Sequence, residues 1–281
     1  MTYALTFMTA SIVTYRTPPE ELRECLASLS STEVERIYVV DNSSLPELAE
    51  VCREDSRVIY IPNKNTGYGS GHNMAIKMAM ESGSAFHLVL NSDVEFVPSV
   101  IDNILAYMRQ NPEVGIVQPR ITYPSGRPQY TCRLLPTPAN VFFRRFLPPV
   151  GRLLDKRYLI SDYDGSYPLS VPSLQGSFLL MRMQALRDCG LFDERYFMYC
   201  EDIDLTRRIH TRYRTVYFPQ ESIRHVHRAA SYHSLKMLFI HMVNMTRYFN
   251  KWGWFSDPER GQVNAAVMRE VKSHIAADHP E

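Results

Sequence analysis

A carboxylate and two amide or hydroxyl side chains follow one apolar segment of the chain. Residues 86–90 read as a buried strand, and Asn91, Ser92 and Asp93 come directly after it. A short acid at such a strand end can hold Mg²⁺ or Mn²⁺, hard cations that combine a few protein oxygens with those of a diphosphate. A turn or helix cap is the alternative interpretation of Asp93.

Two histidines near the end of the last predicted strand form a second candidate site. His225 and His227 have the alternate spacing that could put both rings on one side of an extended chain. Joined by Asp93 from across the fold, they would favour Mn²⁺ or Mg²⁺ over a closed zinc cage. A structural role remains the alternative for each ring.

The third candidate is an acidic pair, Glu201 and Asp202, at the start of a predicted helix. Complementarity to the helix dipole, with Asp204 pairing to Arg208 one turn later, accounts for part of this pattern. A carboxylate of the pair could also act as a general base.

Three glycines in five residues, Gly67, Gly69 and Gly71, allow the backbone to approach a ligand closely. They do not form the G-x-G-x-x-G pattern and they follow the third predicted strand rather than the first, so they are weak evidence for dinucleotide binding.

Strands and helices alternate over the first 120 residues, which predicts a parallel sheet. The predicted strands cover 5–14, 36–40, 57–61, 86–90 and 114–118, and the predicted helices begin at Pro18, at Pro46 with Ser44 as cap, at His72 and at Ser99. Ligands of open α/β sheets lie beyond the carboxyl ends of the strands. Polar segments follow three of these strands, at 41–44, 63–73 and 91–93, which indicates a nucleotide-sized pocket.

Beyond Arg120 the chain is rich in proline, and long loops are predicted there. Order returns with a strand at 173–181, a short helix and turn at 187–197, a helix at 201–211, a strand at 215–218 and an amphipathic helix at 234–252. That last helix is predicted to pack in the core, with docking at a membrane surface as the alternative because apolar, aromatic and basic residues occur together.

Composition narrows the possible functions. The 281 residues are 45% hydrophobic and 22% charged with a formal charge of +1, which is typical of a globular chain and gives no global attraction to nucleic acid. Residues 114–154 and 222–256 contain no acidic side chain, which suits phosphate-bearing ligands or an anionic membrane. Five scattered cysteines indicate no disulfide framework, and no segment reads as a secretion signal or a membrane span.

Taken in order, these motifs resemble those of family 2 glycosyltransferases, in the rhamnosyltransferase-like branch, over about residues 5–250. They are Asp41-Asn-Ser-Ser44, Asn63 to Asn73, Asn91-Ser-Asp93, Gly176-Ser-Phe178, Gly190 to Glu194, Tyr199 to Leu205 and His225. The resemblance implies an α/β fold of GT-A type, a Rossmann-like, mostly parallel sheet flanked by helices. It divides the chain into a nucleotide-binding half (1–120), an acceptor and catalytic half (121–232) and a C-terminal amphipathic helical extension (233–281).

The resemblance also implies a role for each motif residue. Asp202 would be the catalytic base with Glu201 beside it, and Asp93 with His225, preferred over His227, would hold Mg²⁺ or Mn²⁺. Asn91 stands where the family commonly has an acid, so metal binding would depend more heavily on Asp93. The nucleotide would be bound by Asp41, which would contact the base or ribose, and by Asn65, Gly67, Gly71, Asn73 and Ser92.

The implied reaction is inverting transfer of a sugar from a nucleoside diphosphate, dTDP-rhamnose or a UDP-hexose, to a saccharide acceptor. That acceptor is expected to be lipid-linked, in cell-surface polysaccharide synthesis, with the enzyme in the cytoplasm or peripheral at the inner face of the membrane. One alternative is a sugar-phosphate nucleotidyltransferase, which would be expected to carry a basic glycine-rich loop where this chain has Tyr15-Arg-Thr-Pro-Pro19. The other is a non-catalytic saccharide- or nucleotide-binding relative, which the Glu201-Asp202 pair disfavours. The acceptor's identity and the oligomeric state are left open.

Overall fold

Nine strands form one sheet in the computed structural model, which describes residues 7–226 and 234–278. The strands are β1 (Met8–Thr14), β2 (Val34–Asp41), β3 (Val58–Pro62), β4 (Phe86–Leu90), β5 (Val94–Glu95), β6 (Val114–Thr122), β7 (Leu169–Ser170), β8 (Phe178–Arg182) and β9 (Arg214–His225). The helices are α1 (Pro19–Ser28), α2 (Pro46–Cys52), α3 (Tyr68–Glu81), α4 (Ser99–Gln110), α5 (Pro138–Phe146), α6 (Pro148–Tyr158), α7 (Met183–Cys189), α8 (Glu201–His210), α9 (Leu235–Trp252) and α10 (Pro258–Asp278).

The strands lie in the order β3-β2-β1-β4-β8-β6-β9-β5, and β7 pairs with β9. The first four run parallel to one another, as do β6 and β9. β4 is buried at all five positions, which is the pattern of a strand covered by helices on both faces of the sheet. The predicted Rossmann-like sheet flanked by helices is therefore confirmed.

Within this mostly parallel sheet, β8 is antiparallel to both β4 and β6. The chain reaches β8 without crossing back over the sheet, so β8 starts at the edge where β4 ends. The strand also begins at Phe178 rather than Ser173, because side chains bind the backbone just before it: Tyr68 contacts the Gly176 carbonyl and Gln118 contacts that of Gln175. This reversal brings Gly176 and Ser177 next to the end of β4.

The proline-rich segment contains two helices, α5 and α6, where only loops were predicted. Thr137 Oγ1 accepts from Asn140 N at 3.1 Å and Asn140 Oδ1 accepts from Thr137 N at 3.0 Å, which is a reciprocal cap. Pro138 then occupies the first turn, where its missing N–H is not needed. The prolines therefore start these helices instead of breaking them.

Two other helix predictions also need correction. α7 spans Met183–Cys189, so the short helix predicted with a turn over 187–197 begins earlier than expected, and Gly190, with a φ of +83°, ends it. Ser44 does not cap α2, because Asp41 Oδ2 accepts from Leu45 N at 2.6 Å at that position.

The last two helices pack against the rest of the chain. Tyr196 and Cys200 form one buried cluster with Met245, Tyr248 and Phe249 of α9. Arg207 is the strongest anchor: its guanidinium lies 4.0 Å from the Trp252 ring centre. The same guanidinium bonds the Asp257 carboxylate at 2.8 and 2.9 Å. No helix among the described residues has both the length and the apolar composition needed to cross a membrane.

Candidate active site

Three polar side chains meet at the carboxyl end of β4. β5 pairs with the end of β9, placing Val94 opposite His225, so the two distant segments are adjacent. Asp93 Oδ1 lies 3.2 Å from His225 Nε2, and Asn91 Nδ2 lies 3.4 Å from the same nitrogen. The predicted pairing of Asp93 with His225 is therefore present in the structure. His227 lies outside the described residues.

The hydrogen bonds of Gln129 fix the orientation of the His225 ring. Gln129 Nε2 donates to the His225 carbonyl at 2.7 Å, so its Oε1 is the atom that faces His225 Nδ1 at 3.0 Å. Nδ1 therefore carries a proton, and Nε2 faces Asp93 Oδ1 at 3.2 Å. A ligating histidine commonly donates its other N–H in this way. An imidazole nitrogen and a carboxylate oxygen that face each other can bind a divalent metal together, so the pair fits such an ion.

This pair alone does not complete a metal site. Residues 7–226 and 234–278 contain no arrangement of three or more His, Cys, Asp or Glu side chains suited to a metal ion. Mg²⁺ and Mn²⁺ tolerate that, because substrate phosphates and waters supply the remaining ligands. The donor set therefore suits a cation bound together with a diphosphate.

Tyr68 connects this site to the acidic pair Glu201 and Asp202. Its hydroxyl lies 2.8 Å from Asn91 Oδ1 and 2.7 Å from the Gly176 carbonyl, and can donate its proton to either. On the other side of Gly176, the backbone N–H donates to Asp202 Oδ2 at 3.0 Å. Burial raises the pKa of Tyr68 well above its usual value, and the charges of Glu201, Asp202 and Asp93 add to this effect. Tyr68 therefore lies among all three acids.

The two acids of the pair have different surroundings. Burial raises the pKa of Glu201 well above its usual value, and the charge of Asp202 adds to this. Glu201 Oε2 has no hydrogen-bond partner among the described residues. Burial also raises the pKa of Asp202, but the N–H groups of Gly176 and Ile203 and the charge of Arg133 oppose it. Both pKa values are raised, but more groups that stabilise the ionised form act on Asp202, so Asp202 is the acid of the pair that ionises more readily.

Asp41 lies at the same edge of the sheet, two strands from β4 and so roughly 10 Å away. It is fully buried and all its bonds are internal. Oδ1 accepts from Thr14 Oγ1 and Ser43 N, and Oδ2 from Leu45 N and the Tyr60 hydroxyl. Asp41 therefore shapes the turn after β2, and its contact with a nucleobase stays a prediction.

Of the other predicted nucleotide contacts, Asn65 is exposed and Ser92 Oγ donates to Glu21 at 2.7 Å. Gly67 begins α3 with a φ of +115°, and a Cβ there would lie 2.5 Å from the Phe197 carbonyl oxygen. The predicted glycine loop is instead the first turn of α3. Gly71 packs on β1, where a Cβ would lie 2.9 Å from Val13.

Asn73 is buried, and its amide bonds both the carbonyl and the N–H of Phe192. Gly71 and Asn73 therefore hold α3 to the sheet and to the segment after α7 rather than lining an open pocket. Both residues lie in α3 rather than in the predicted loop, and their contact with a nucleotide stays a prediction.

Sequence reasoning missed three residues of this site: Tyr68, Gln129 and Arg133. Tyr68 stood between glycines that were interpreted as a loop, and the other two lie in the segment predicted to be irregular. Only their tertiary contacts identify them. The basic bias of residues 114–154 was the one available signal for Arg133.

Comparison with known proteins agrees with this geometry. The model of glycosyl transferase family 2 matches residues 9–190. The chain belongs to this family. It is 32% identical to an N-acetylglucosaminyl-diphospho-decaprenol L-rhamnosyltransferase of Mycobacterium tuberculosis, over 94% of this chain and 90% of the relative. It is 26% identical to the rhamnosyltransferase WbbL of Escherichia coli, over 62% of this chain and 66% of the relative.

Solved structures confirm the GT-A-type fold of this glycosyltransferase. A mannosyltransferase of Pyrobaculum calidifontis, in complex with GDP-Man and Mn²⁺, superposes with a TM-score of 0.57 at 15% identity, over 98% of this chain and 76% of that one. GalNAc-T7, solved with UDP, GalNAc and Mn²⁺, gives a TM-score of 0.59 at 14% identity. That superposition covers 80% of this chain and 45% of GalNAc-T7.

Proposed function

We propose that this glycosyltransferase moves a sugar, with inversion, from a nucleoside diphosphate to a lipid-linked saccharide in cell-surface polysaccharide synthesis. The observation that carries the proposal is the convergence of Asp93, His225 and Asp202 around Tyr68 and Gly176. The donor is dTDP-rhamnose or a UDP-hexose, with dTDP-rhamnose favoured by the similarity to two rhamnosyltransferases.

Asp202 acts as the base of this reaction. Inversion needs the acceptor hydroxyl to lose its proton as it attacks the sugar carbon from the side opposite the leaving diphosphate. Asp202 is held by two backbone N–H groups, so its orientation is fixed before the substrate arrives. Glu201 beside it keeps its proton and avoids a second buried negative charge. Such a base typically contributes about 10²- to 10⁴-fold to the rate.

Asp93 and His225 hold Mg²⁺ or Mn²⁺ in this proposal. The cation supplies positive charge to the departing diphosphate. The protein's own part is to fix both ligands: Gln129 orients the imidazole, and Asn91 contacts both His225 and Tyr68. Tyr68 then ties the end of β4 to Gly176 and so sets the spacing between the leaving group and the base.

The acceptor is assigned from the relatives and from charge. The Mycobacterium tuberculosis relative is named for a substrate in which a sugar is joined through a diphosphate to decaprenol. The basic segments 114–154 and 222–256 suit such an anionic acceptor. A lipid-linked acceptor would bring the enzyme to a membrane surface, and its location in the cytoplasm or at the inner face of the membrane stays a prediction.

A donor screen followed by a transfer assay tests this function. With Mn²⁺, dTDP-rhamnose or a UDP-hexose should raise the melting temperature of the protein by mass action, and Asp93→Ala should abolish the metal-dependent part of the shift. The matched control is Asp102→Ala, on α4. Transfer to an N-acetylglucosaminyl diphospho-lipid should follow with the same donor. Formation of a nucleotide sugar from a sugar phosphate would instead identify a nucleotidyltransferase, and donor binding without any turnover would identify a binding protein.

A further inference from the structure

A cavity lies between α5, α8 and α9, on the side of the acidic pair Glu201 and Asp202. It has a volume of about 120 Å³ and we call it the acceptor cleft. Its lining consists of Arg133, Asn140, Val141, Arg144, Tyr158, Ile203, Leu238, His241, Met242 and Met245. Arg133 lines the cleft and its charge acts on the Asp202 carboxylate, so the cleft lies close to the proposed base.

The polar lining of the cleft is basic. Arg133 and Arg144 contribute two guanidinium groups, and His241 on α9 adds an imidazole. The described lining residues include no carboxylate. The nearest carboxylate to Arg144 is Asp155 on α6, with an oxygen 3.5 Å from the guanidinium Nε. This combination suits a ligand that carries more than one negative charge, because guanidinium groups bind phosphate oxygens through charge-assisted hydrogen bonds.

The remaining lining is apolar and extends out of the cleft along α9. Val141, Leu238 and Met242 face the cavity from two helices. Leu235, Phe239 and Met242 recur at one-turn spacing and so share a face of α9. Leu235 is 86% exposed and Phe239 is 71% exposed. An apolar strip therefore runs from the cleft to the surface, and a ligand with an acyl or isoprenoid chain could cover it.

We propose that the acceptor cleft binds the diphosphate and the first isoprenoid units of the lipid-linked acceptor. Arg144 and His241 contact the phosphate oxygens, and Leu238 and Met242 contact the apolar chain, which leaves along Phe239 and Leu235. The sugar joined to the diphosphate then points toward Asp202. This inference rests on the proposed function for the identity of the acceptor, whereas the binding chemistry of the cleft can be measured without turnover.

Geranyl diphosphate is the direct probe, because it carries the diphosphate and two isoprenoid units but no sugar. Calorimetry with the full chain should show binding, with weaker binding of inorganic diphosphate and of geraniol. Arg144→Gln should weaken binding about 10- to 100-fold, the usual loss of a hydrogen bond to a charged group. Met242→Glu, which puts a negative charge at a partly exposed position of the lining, should also weaken it.

Arg152→Gln is the matched control, because Arg152 is exposed on α6 and does not line the cleft. Unchanged melting temperatures of all three variants would show that they fold. The inference is overturned if inorganic diphosphate binds as tightly as geranyl diphosphate, if Arg144→Gln binds as the wild type does, or if a nucleotide donor displaces the probe.

Kinetics separate this inference from the proposed function. With an N-acetylglucosaminyl diphospho-lipid acceptor, Arg144→Gln should raise the acceptor KM about 10-fold or more and leave the donor KM unchanged. Octyl N-acetylglucosaminide, which lacks the diphosphate, should show no such difference. Transfer with an unchanged acceptor KM would refute the cleft and keep the function. Binding of geranyl diphosphate without any sugar transfer would keep the cleft and refute the function.

Discussion

The two regions proposed to bind ligands are built differently. The donor edge, which we define as Asn91, Asp93, His225 and Tyr68, consists of side chains at strand ends and at the first turn of a helix. The acceptor cleft is assembled from α5, α8 and α9, which lie far apart in the sequence. The donor edge is therefore fixed by the sheet itself, whereas the cleft depends on how the last helices are anchored.

That anchoring is concentrated in a few buried ion pairs. Arg207 is 2% exposed and Asp257 is 3% exposed, and their two hydrogen bonds join α8 to the start of α10. Asp204 Oδ1 also accepts from Trp252 Nε1 at 2.8 Å and lies 2.7 Å from the Lys251 ammonium. The predicted pairing of Asp204 with Arg208 is confirmed at 2.9 Å. Acidic residues that resembled a simple helix start therefore also hold α9, one wall of the cleft.

The largest expected effect is on the residue between the two regions. Asp202→Asn keeps the shape of the side chain but removes the base, so sugar transfer should fall about 10²- to 10⁴-fold. Donor binding at the donor edge and probe binding in the cleft should both persist. Steady-state kinetics and calorimetry on the same preparation check this. Near-normal turnover would transfer the role of base to another group.

The next effect should separate the two regions. Arg207→Met leaves Asp257 buried without its main partner, so the free energy of unfolding should fall by about 3–5 kcal/mol. Urea titration measures this. Arg23→Gln, which breaks exposed ion pairs, should shift the midpoint of the same titration far less.

In conditions where Arg207→Met is still folded, its acceptor KM should rise more than its donor KM, since α9 loses its anchor while the sheet does not. Equal changes in both constants would show that the donor edge depends on the same helices.

The smallest effect concerns the pH dependence of stability. The pKa of Glu201 is raised in the folded state, so its contribution to stability is fully present below the ordinary glutamate pKa, near 4.5, and is lost as pH rises through the folded value. Glu201→Gln cannot ionise and should remove this loss. The difference in unfolding free energy between variant and wild type should grow above about pH 4.5, by up to about 1.4 kcal/mol per pH unit. A constant difference across that range would show that Glu201 is not perturbed.

Local sequence patterns predicted the donor edge better than the cleft. Asp93 and His225 stand at strand ends, where topology alone brings them together, and helix α4 begins at Ser99 as predicted. Asp41 lies at the edge of the sheet where the sequence predicted it. The sequence did not show that internal hydrogen bonds occupy both of its carboxylate oxygens, because one of these bonds comes from Tyr60 on the neighbouring strand. A sequence shows which groups follow a strand, not how many partners they acquire.

The cleft was less predictable for the same reason. Prolines suggested loops, although Pro138 and its cap at Thr137 start α5. Helix α9 was predicted to pack in the core, with docking at a membrane surface as the alternative. The two ends of the helix differ in how far their side chains are buried. Met245, Tyr248 and Phe249 are buried, while Leu235 and Phe239 are exposed. The division into domains at residue 232 and the membrane contact both stay predictions.

The reversed strand β8 has a consequence for the synthesis of this chain on the ribosome. β4 is paired with β1 on one side, and its other edge is covered only by β8. Until β8 has been translated, a nascent chain that already contains β1 to β4 exposes this edge of β4. The backbone N–H and C=O groups along the edge then have no partner strand, and the side chains of β4 are mostly apolar. Bare strand edges of this kind attract other chains. Slow translation through the proline-rich segment would therefore lengthen the period in which this edge is open to other chains.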